Sequence, residues 1–245
     1  MLKNLMAELG YRRHQPKRVL FDHLPKCAGS TINQFLTSHY PQRLTYRLNT
    51  SNNSYQQFIS FDKDKRYKYH LVIGHLNHEL LNYVHPETVT LTVFRDPIDR
   101  IVSHYFYVRR SKSHYLHEAV MKSNMELQDY AVSNLSPELR NWYTTHFTGL
   151  SIEEAEREPE AAIQKAIQVI LQRYKIIGFQ DDLLEVSRKL EETAGLWKQF
   201  ENHLINKTNK RLTLKEISGE TKNMIAEVNF LDVKLYKILR EHFEN

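Results

Sequence analysis

The chain has 245 residues, 41% hydrophobic and 26% charged, which suits one α/β domain with a sizeable core. A mean hydropathy of −0.58 and the lack of any apolar run of bilayer length argue against an integral membrane segment. The net charge of +5 and the pI near 9.1 fit anionic ligands, but no zinc finger, RNA-recognition signature or helix-turn-helix pattern points to nucleic acid.

The N-terminus, Met1 to Gly10, is too polar for a signal peptide and carries Glu8, so residues 1–17 read as an extension to a core at 18–245. Residues 18–24 read as a strand, mostly apolar as one buried on both faces would be. Pro25 and Gly29 then punctuate the chain, and Ser30 and Thr31 stand at the start of a helix at 30–39. In that helix Ile32, Phe35 and Leu36 share one face. A helix N-terminus offers unpaired N–H groups and a partial positive charge, Lys26 adds a full charge, and the hydroxyls add donors, so this turn suits phosphate. It is not a Walker A loop, because the lysine precedes the glycine instead of following it. The one cysteine, Cys27, excludes an intrachain disulfide and reads as a small packed residue of the loop.

Residues 47–57, rich in Asn, Ser and Gln, read as a loop, and Lys63, Lys65, Arg66 and Lys68 mix with Asp62 and Asp64 on a solvated stretch. A strand at 69–73, a short helix at 77–84 and a strand at 89–94 follow. Arg95-Asp96-Pro97 forms a second strand-to-helix turn, opening a helix at 97–110 with Ile101, Val102 and Tyr105 at apolar spacing. Arg95 and Ser103, two turns along that helix, supply a planar fork and a hydroxyl for one phosphate. Asp99 and Arg100 read as a local ion-pair cluster. Arg109 and Arg110, directly after this segment, are candidates to meet an anionic acceptor.

Short helices at 114–122 and 125–134 precede a helix at 152–172, whose Glu153, Glu154 and Glu156 favour its N-terminal dipole. A strand at 175–179 and helices at 181–194, 196–201, 213–218 and 220–243 complete the chain. This alternation predicts a single α/β domain, a central parallel sheet flanked by helices with ligands at the strands' C-terminal ends.

Pro25, Lys26, Gly29, Ser30 and Thr31, followed by Arg95, Asp96, Pro97, Arg100, Ser103 and Tyr105, resemble the two nucleotide motifs of sulfotransferases that use 3′-phosphoadenosine 5′-phosphosulfate (PAPS). The pattern is similar to the carbohydrate branch that includes heparan sulfate 2-O-sulfotransferase and related bacterial enzymes. Further segments carry the resemblance from about Val19 to Phe243: Gly74-His75, Asn141 to Gly149, Tyr174 to Asp182, His203 to Arg211 and Asn229 to Tyr236. Cys27 and Ala28 stand where many relatives have Thr and Gly.

The resemblance implies a P-loop-NTPase-like sulfotransferase fold and transfer of a sulfuryl group to an acceptor hydroxyl, on a carbohydrate by preference, with release of 3′-phosphoadenosine 5′-phosphate (PAP). It implies that Lys26, Cys27, Ala28, Gly29, Ser30 and Thr31 hold the 5′ end of the nucleotide, and Arg95 and Ser103 the 3′-phosphate. Lys207, Thr208, Lys210 and Arg211 would form the basic loop that closes over it. His75 would be the general base, Lys26 would stabilise the leaving phosphate, and no metal is expected. His78, Arg109, Arg110 and Asn141 would meet the acceptor. His23, His85 and His104 read as structural or surface histidines. Eukaryotic relatives carry an N-terminal membrane anchor that this sequence lacks, which implies a cytoplasmic enzyme or a trimmed chain. Two other classes stay open: a nucleotide-dependent kinase or NTPase, and a non-catalytic nucleotide- or glycan-binding module.

Overall fold

The computed structural model describes residues 2–49, 53–76, 78–200 and 212–244. The chain runs through α1 (Leu2–His14), β1 (Val19–Asp22), α2 (Gly29–His39), β2 (Thr45–Leu48), α3 (Ser54–Ser60), α4 (Lys63–Tyr67), β3 (Leu71–Gly74) and β4 (Val89–Phe94). There follow α5 (Pro97–Arg110), α6 (His117–Lys122), α7 (Leu127–Val132), α8 (Trp142–Thr148), α9 (Ile152–Arg157) and α10 (Pro159–Arg173). The last elements are β5 (Ile176–Phe179), α11 (Leu183–Ala194), α12 (Gly219–Val228) and α13 (Phe230–Glu244). Two compact units emerge: one takes in the described residues of Met1–Phe94 and Leu171–Asn206, the other those of Arg95–Ile170 and Lys207–Asn245.

The first unit is a five-stranded sheet, order β2-β3-β1-β4-β5, with every neighbouring pair parallel. β1, β3, β4 and β5 are buried along their whole length, which is why they read as unbroken apolar runs. Alternate residues divide between the two faces. Val19, Phe21, Leu71, Ile73, Leu91 and Val93 pack with Ile32 and Leu36 of α2 and Leu183, Val186 and Leu190 of α11. Leu20 and Val72 pack on the opposite face with Leu48 and Phe58. β1 is central, and the chain crosses from its β3 side to its β4 side, so the loop after β1 lies at the point where strand order reverses. The buried carboxylate of Asp22 there accepts a 2.6 Å hydrogen bond from Tyr174. Burial, joined by that carboxylate, pushes the Tyr174 hydroxyl well above its ordinary range.

In the second unit α5, α6, α7 and α12 enclose an apolar core that includes Ile101, Val102, Tyr105, Val108, Val120, Tyr130 and Ile225. A buried polar knot ties three distant segments of this unit together. Asn141, in the left-handed region at φ 45°, precedes α8 without capping it through its side chain; its N–H donates to Asn229 Oδ1 at 3.0 Å and its Oδ1 accepts from Leu231 N–H at 3.0 Å. Its Nδ2 donates to Glu156 at 2.7 Å. Asn229 Nδ2 in turn donates to the Leu139 carbonyl at 3.0 Å. Asp232 accepts from the N–H groups of Tyr143 and Thr144 at 2.8 and 2.9 Å, and from the Thr144 hydroxyl at 2.9 Å.

Several boundaries differ from the sequence reading. Residues 1–17 are no mere extension: α1 packs on α2, with Ala7 buried and Tyr11 against the sheet core. Thr45–Leu48 is a strand that runs into the expected loop at 47–57, and its mixed burial fits an edge strand with one open face. The expected helix at 152–172 breaks at Glu158, because the residue before Pro159 is driven out of the helical region. The expected helix at 220–243 breaks at Asn229, whose side chain is taken by the knot. Residues 195–200 and 213–218 are not helical.

Candidate active site

The first unit gathers the loop after β1 and the residue after β3. Because Asp22 pairs with Gly74, His23 and His75 are neighbours one step beyond the ladder, on the same face as Val19 and Phe21. Their rings stack at 4.4 Å between centroids and 25° between planes, and His23 N–H donates to the Gly74 carbonyl at 2.9 Å. Gly74 sits at φ 143°, and a Cβ there would lie 2.2 Å from the Leu48 carbonyl oxygen, so the Gly-His pair at the end of β3 tolerates no side chain in its first position.

From His23 the chain turns through Lys26 and Ala28, both in the left-handed region at φ 66° and 62°. Ala28 is the cap residue of α2, and its methyl side chain gives that helix no capping hydrogen bond. By contrast Asp96, Ser151, Asp182 and Ser218 cap α5, α9, α11 and α12 with side-chain oxygens. The first turn of α2 thus presents main-chain donors beside the half-buried Lys26. Ser30 is exposed at that turn, whereas Thr31 is buried. The Cys27 thiol is buried and donates to the Pro25 carbonyl, so only the main chain of Cys27 is available to a ligand. Gly29 lies under His23, where an added Cβ would come within 1.6 Å of the imidazole Nε2. Burial first, then the nearby His75 and Lys26, press the His23 pKa down to about 3, so His23 is neutral at physiological pH.

In the second unit Asp96 caps α5, and the Tyr143 hydroxyl both accepts from Arg95 N–H at 3.3 Å and donates to the Arg95 carbonyl at 3.0 Å. The Arg95 guanidinium is nearly buried and engages Asp99 at 2.6 Å through Nε. Asp99 and Ser103 are four residues apart and share a face of α5. Asp99 is therefore in the expected ion-pair cluster but Arg100 is not. Arg100 is fully buried, donates to the Glu138 carbonyl at 2.8 Å and lies against the rings of Trp142 and Tyr143.

The acceptor candidates separate. Arg110 is exposed. Arg109 folds back on its own helix, donating to the Tyr105 hydroxyl at 2.6 Å and to the Met125 carbonyl at 3.3 Å. Asn141 is wholly buried in the knot, which corrects its reading as an acceptor residue: its contacts are internal. His78 opens a short 3-10 helix at His78–Asn82, and its side chain lies outside the described residues. Lys207, Thr208, Lys210 and Arg211 also lie outside them. Sequence reasoning passed over His23 as a site neighbour, because only the strand register reveals it.

The sequence profile of the sulfotransferase family matches residues 10–238, which spans both units and both motif segments. The chain belongs to the sulfotransferase family. No curated protein matches the chain. Family membership fits a parallel sheet whose central strand feeds a helix N-terminus, and sulfuryl transfer is the chemistry of that family. Among the described residues no helix is long and apolar enough to cross a membrane.

Proposed function

We propose that this sulfotransferase moves a sulfuryl group from PAPS to an acceptor hydroxyl, preferentially on a carbohydrate, with His75 as general base. One observation carries the reading: a lysine, an uncapped helix N-terminus and an imidazole meet at the C-terminal edge of β1 and β3 within one compact unit. These parts suit the donor. The 5′-phosphosulfate is anionic, and α2 offers N–H groups with the positive end of its dipole. The motif resemblance assigns the 3′-phosphate to Arg95, whose fork Asp99 orients, and to Ser103.

When bound, the donor supplies an activated sulfuryl group. His75 takes the acceptor's proton as the new oxygen–sulfur bond forms; a positioned base of this kind contributes about 10²–10⁴-fold. Lys26 meets the charge that collects on the bridging oxygen as the sulfur–oxygen bond to phosphate breaks, leaving PAP; one such donor is worth roughly 10²–10³-fold. His23 is unsuited to the base role, since a pKa pressed down to about 3 leaves it too weak a base and its Nε2 edge is turned against Gly29.

Calorimetry with PAP, and with ATP plus Mg²⁺ in parallel, tests the reading. Tighter binding of PAP, weakened at least tenfold by Arg95→Ala, is expected. Equal or tighter binding of ATP would overturn it in favour of a kinase.

A further inference from the structure

We propose that His23 is a positioning residue: its imidazole, wedged between Gly29 of the phosphate loop and the ring of His75, fixes the plane in which His75 meets the acceptor hydroxyl. The inference rests on the reading of His75 as the base.

The wedge has two sides. Toward β3, the His23 ring stacks on His75 at 4.4 Å, a separation that the parallel register imposes, since adjacent strands run about 4.8 Å apart. Toward α2, the same ring occupies the space that any side chain at position 29 would need. Phe21, two residues earlier on the same face, stacks beneath His23 at 5.6 Å and 17°. The main chain is pinned as well, by the bond from His23 N–H to the Gly74 carbonyl. His23 and His75 both stand one residue beyond their last paired positions, and His23 is fixed there by Phe21, by Gly29 and by the Gly74 carbonyl. A base whose ring plane drifts loses alignment with the proton that it takes, and misplacement by about 1 Å can cost roughly 10²-fold in rate.

The role asks for a flat, uncharged ring and not for a titrating nitrogen. Protonating His23 would put a second positive charge beside Lys26 and against the base, and burial together with those neighbours prevents it. The wedge also explains the glycine in the loop. Gly29→Ala would drive its Cβ into His23 and displace the ring from His75.

The test compares steady-state sulfuryl transfer and PAP affinity in the wild type, His23→Ala, His23→Phe, Gly29→Ala and the double variant His23→Ala/Gly29→Ala. His23→Ala is expected to lose at least tenfold in kcat with PAP affinity held within threefold. His23→Phe, which restores a flat ring, is expected to recover most of that kcat. The double variant is expected to regain the PAP affinity that Gly29→Ala loses, because the clash is gone, without regaining kcat. The proposal is overturned if His23→Ala keeps kcat within twofold, if kcat and PAP affinity fall by the same factor, or if His23→Phe is no better than His23→Ala. Absence of transfer in the wild type, or an unaffected rate in His75→Ala, would instead sink the assignment of His75.

Discussion

The N-termini of α2 and α8 begin from similar backbone and end in opposite states. Each follows a non-glycine residue in the left-handed region, Ala28 at φ 62° and Asn141 at φ 45°. At α8 the donors are closed from within the unit: Asp232 takes the N–H groups of Tyr143 and Thr144, and Asn141 is itself held by Asn229 and Leu231. At α2 the cap residue Ala28 has no side chain that could take that place, and a lysine and two stacked histidines stand nearby. Polar residues in a recurring pattern therefore mark two different things. Where a carboxylate closes the helix the pattern is structural, and where the helix is left uncapped beside a cation it is suited to a ligand.

The largest effect that would sharpen this contrast is on rate. His75→Ala should lower kcat by about 10²–10⁴-fold with the thermal midpoint nearly unchanged. A steady-state assay beside a thermal melt checks it, and a midpoint that falls with the rate would place His75 among the structural residues. Asp232→Ala should do the converse. Losing three buried hydrogen bonds to one carboxylate should cost about 3 kcal/mol of stability, read by denaturant unfolding. An unaltered unfolding midpoint would break the comparison, since the knot would then not be holding α8.

A smaller effect comes from the other end of α2. His39 is buried, its Nδ1 donates to the Phe35 carbonyl at 2.8 Å, and its Nε2 accepts from Lys198 N–H at 3.0 Å. Burial, chiefly, lowers its pKa from 6.5 to about 4. The folded chain thus resists a proton that the unfolded chain accepts. The stability is complete above pH 6.5 and drains away as pH falls toward 4. At pH 5 the loss is about 2 kcal/mol, from 1.5 pKa units at 1.36 kcal/mol each. Unfolding at pH 7.5 and pH 5 checks it, and His39→Gln should flatten the difference.

The smallest effect concerns the two left-handed caps. Ala28→Gly should stabilise by about 1 kcal/mol, because only glycine adopts that region without steric cost. Asn141→Gly should destabilise, since it keeps the backbone but deletes the contacts to Glu156 and Leu231. Thermal melts that ranked the two substitutions alike would show that strain, and not capping, separates the helices.

Much of the first unit was legible in the sequence. Four of its strands are covered on both faces, so their residues read as continuous apolar runs, and Pro25 and Gly29 mark the turn that follows β1. β2 was not legible, because an edge strand needs no such run and its Arg47 points to solvent. The start of α2 after Pro25 and Lys26 was legible from residue type and spacing alone. Asn141 was misread because an asparagine that meets a ligand and one that ties buried segments together have the same letters around them. Only the partners, Asn229 and Leu231, tell them apart.

Local pattern determined the four buried strands, the helix after β1, the two motif turns and the family, since periodicity, turn residues and charge act over a few positions. Tertiary structure alone decided that His23 lies on His75, that position 29 has no room for a side chain, and that Asn141 serves the fold. Each of those facts depends on which residues of separate strands or helices are brought level. That registration is set by packing across the whole unit, and no short stretch of the chain contains it.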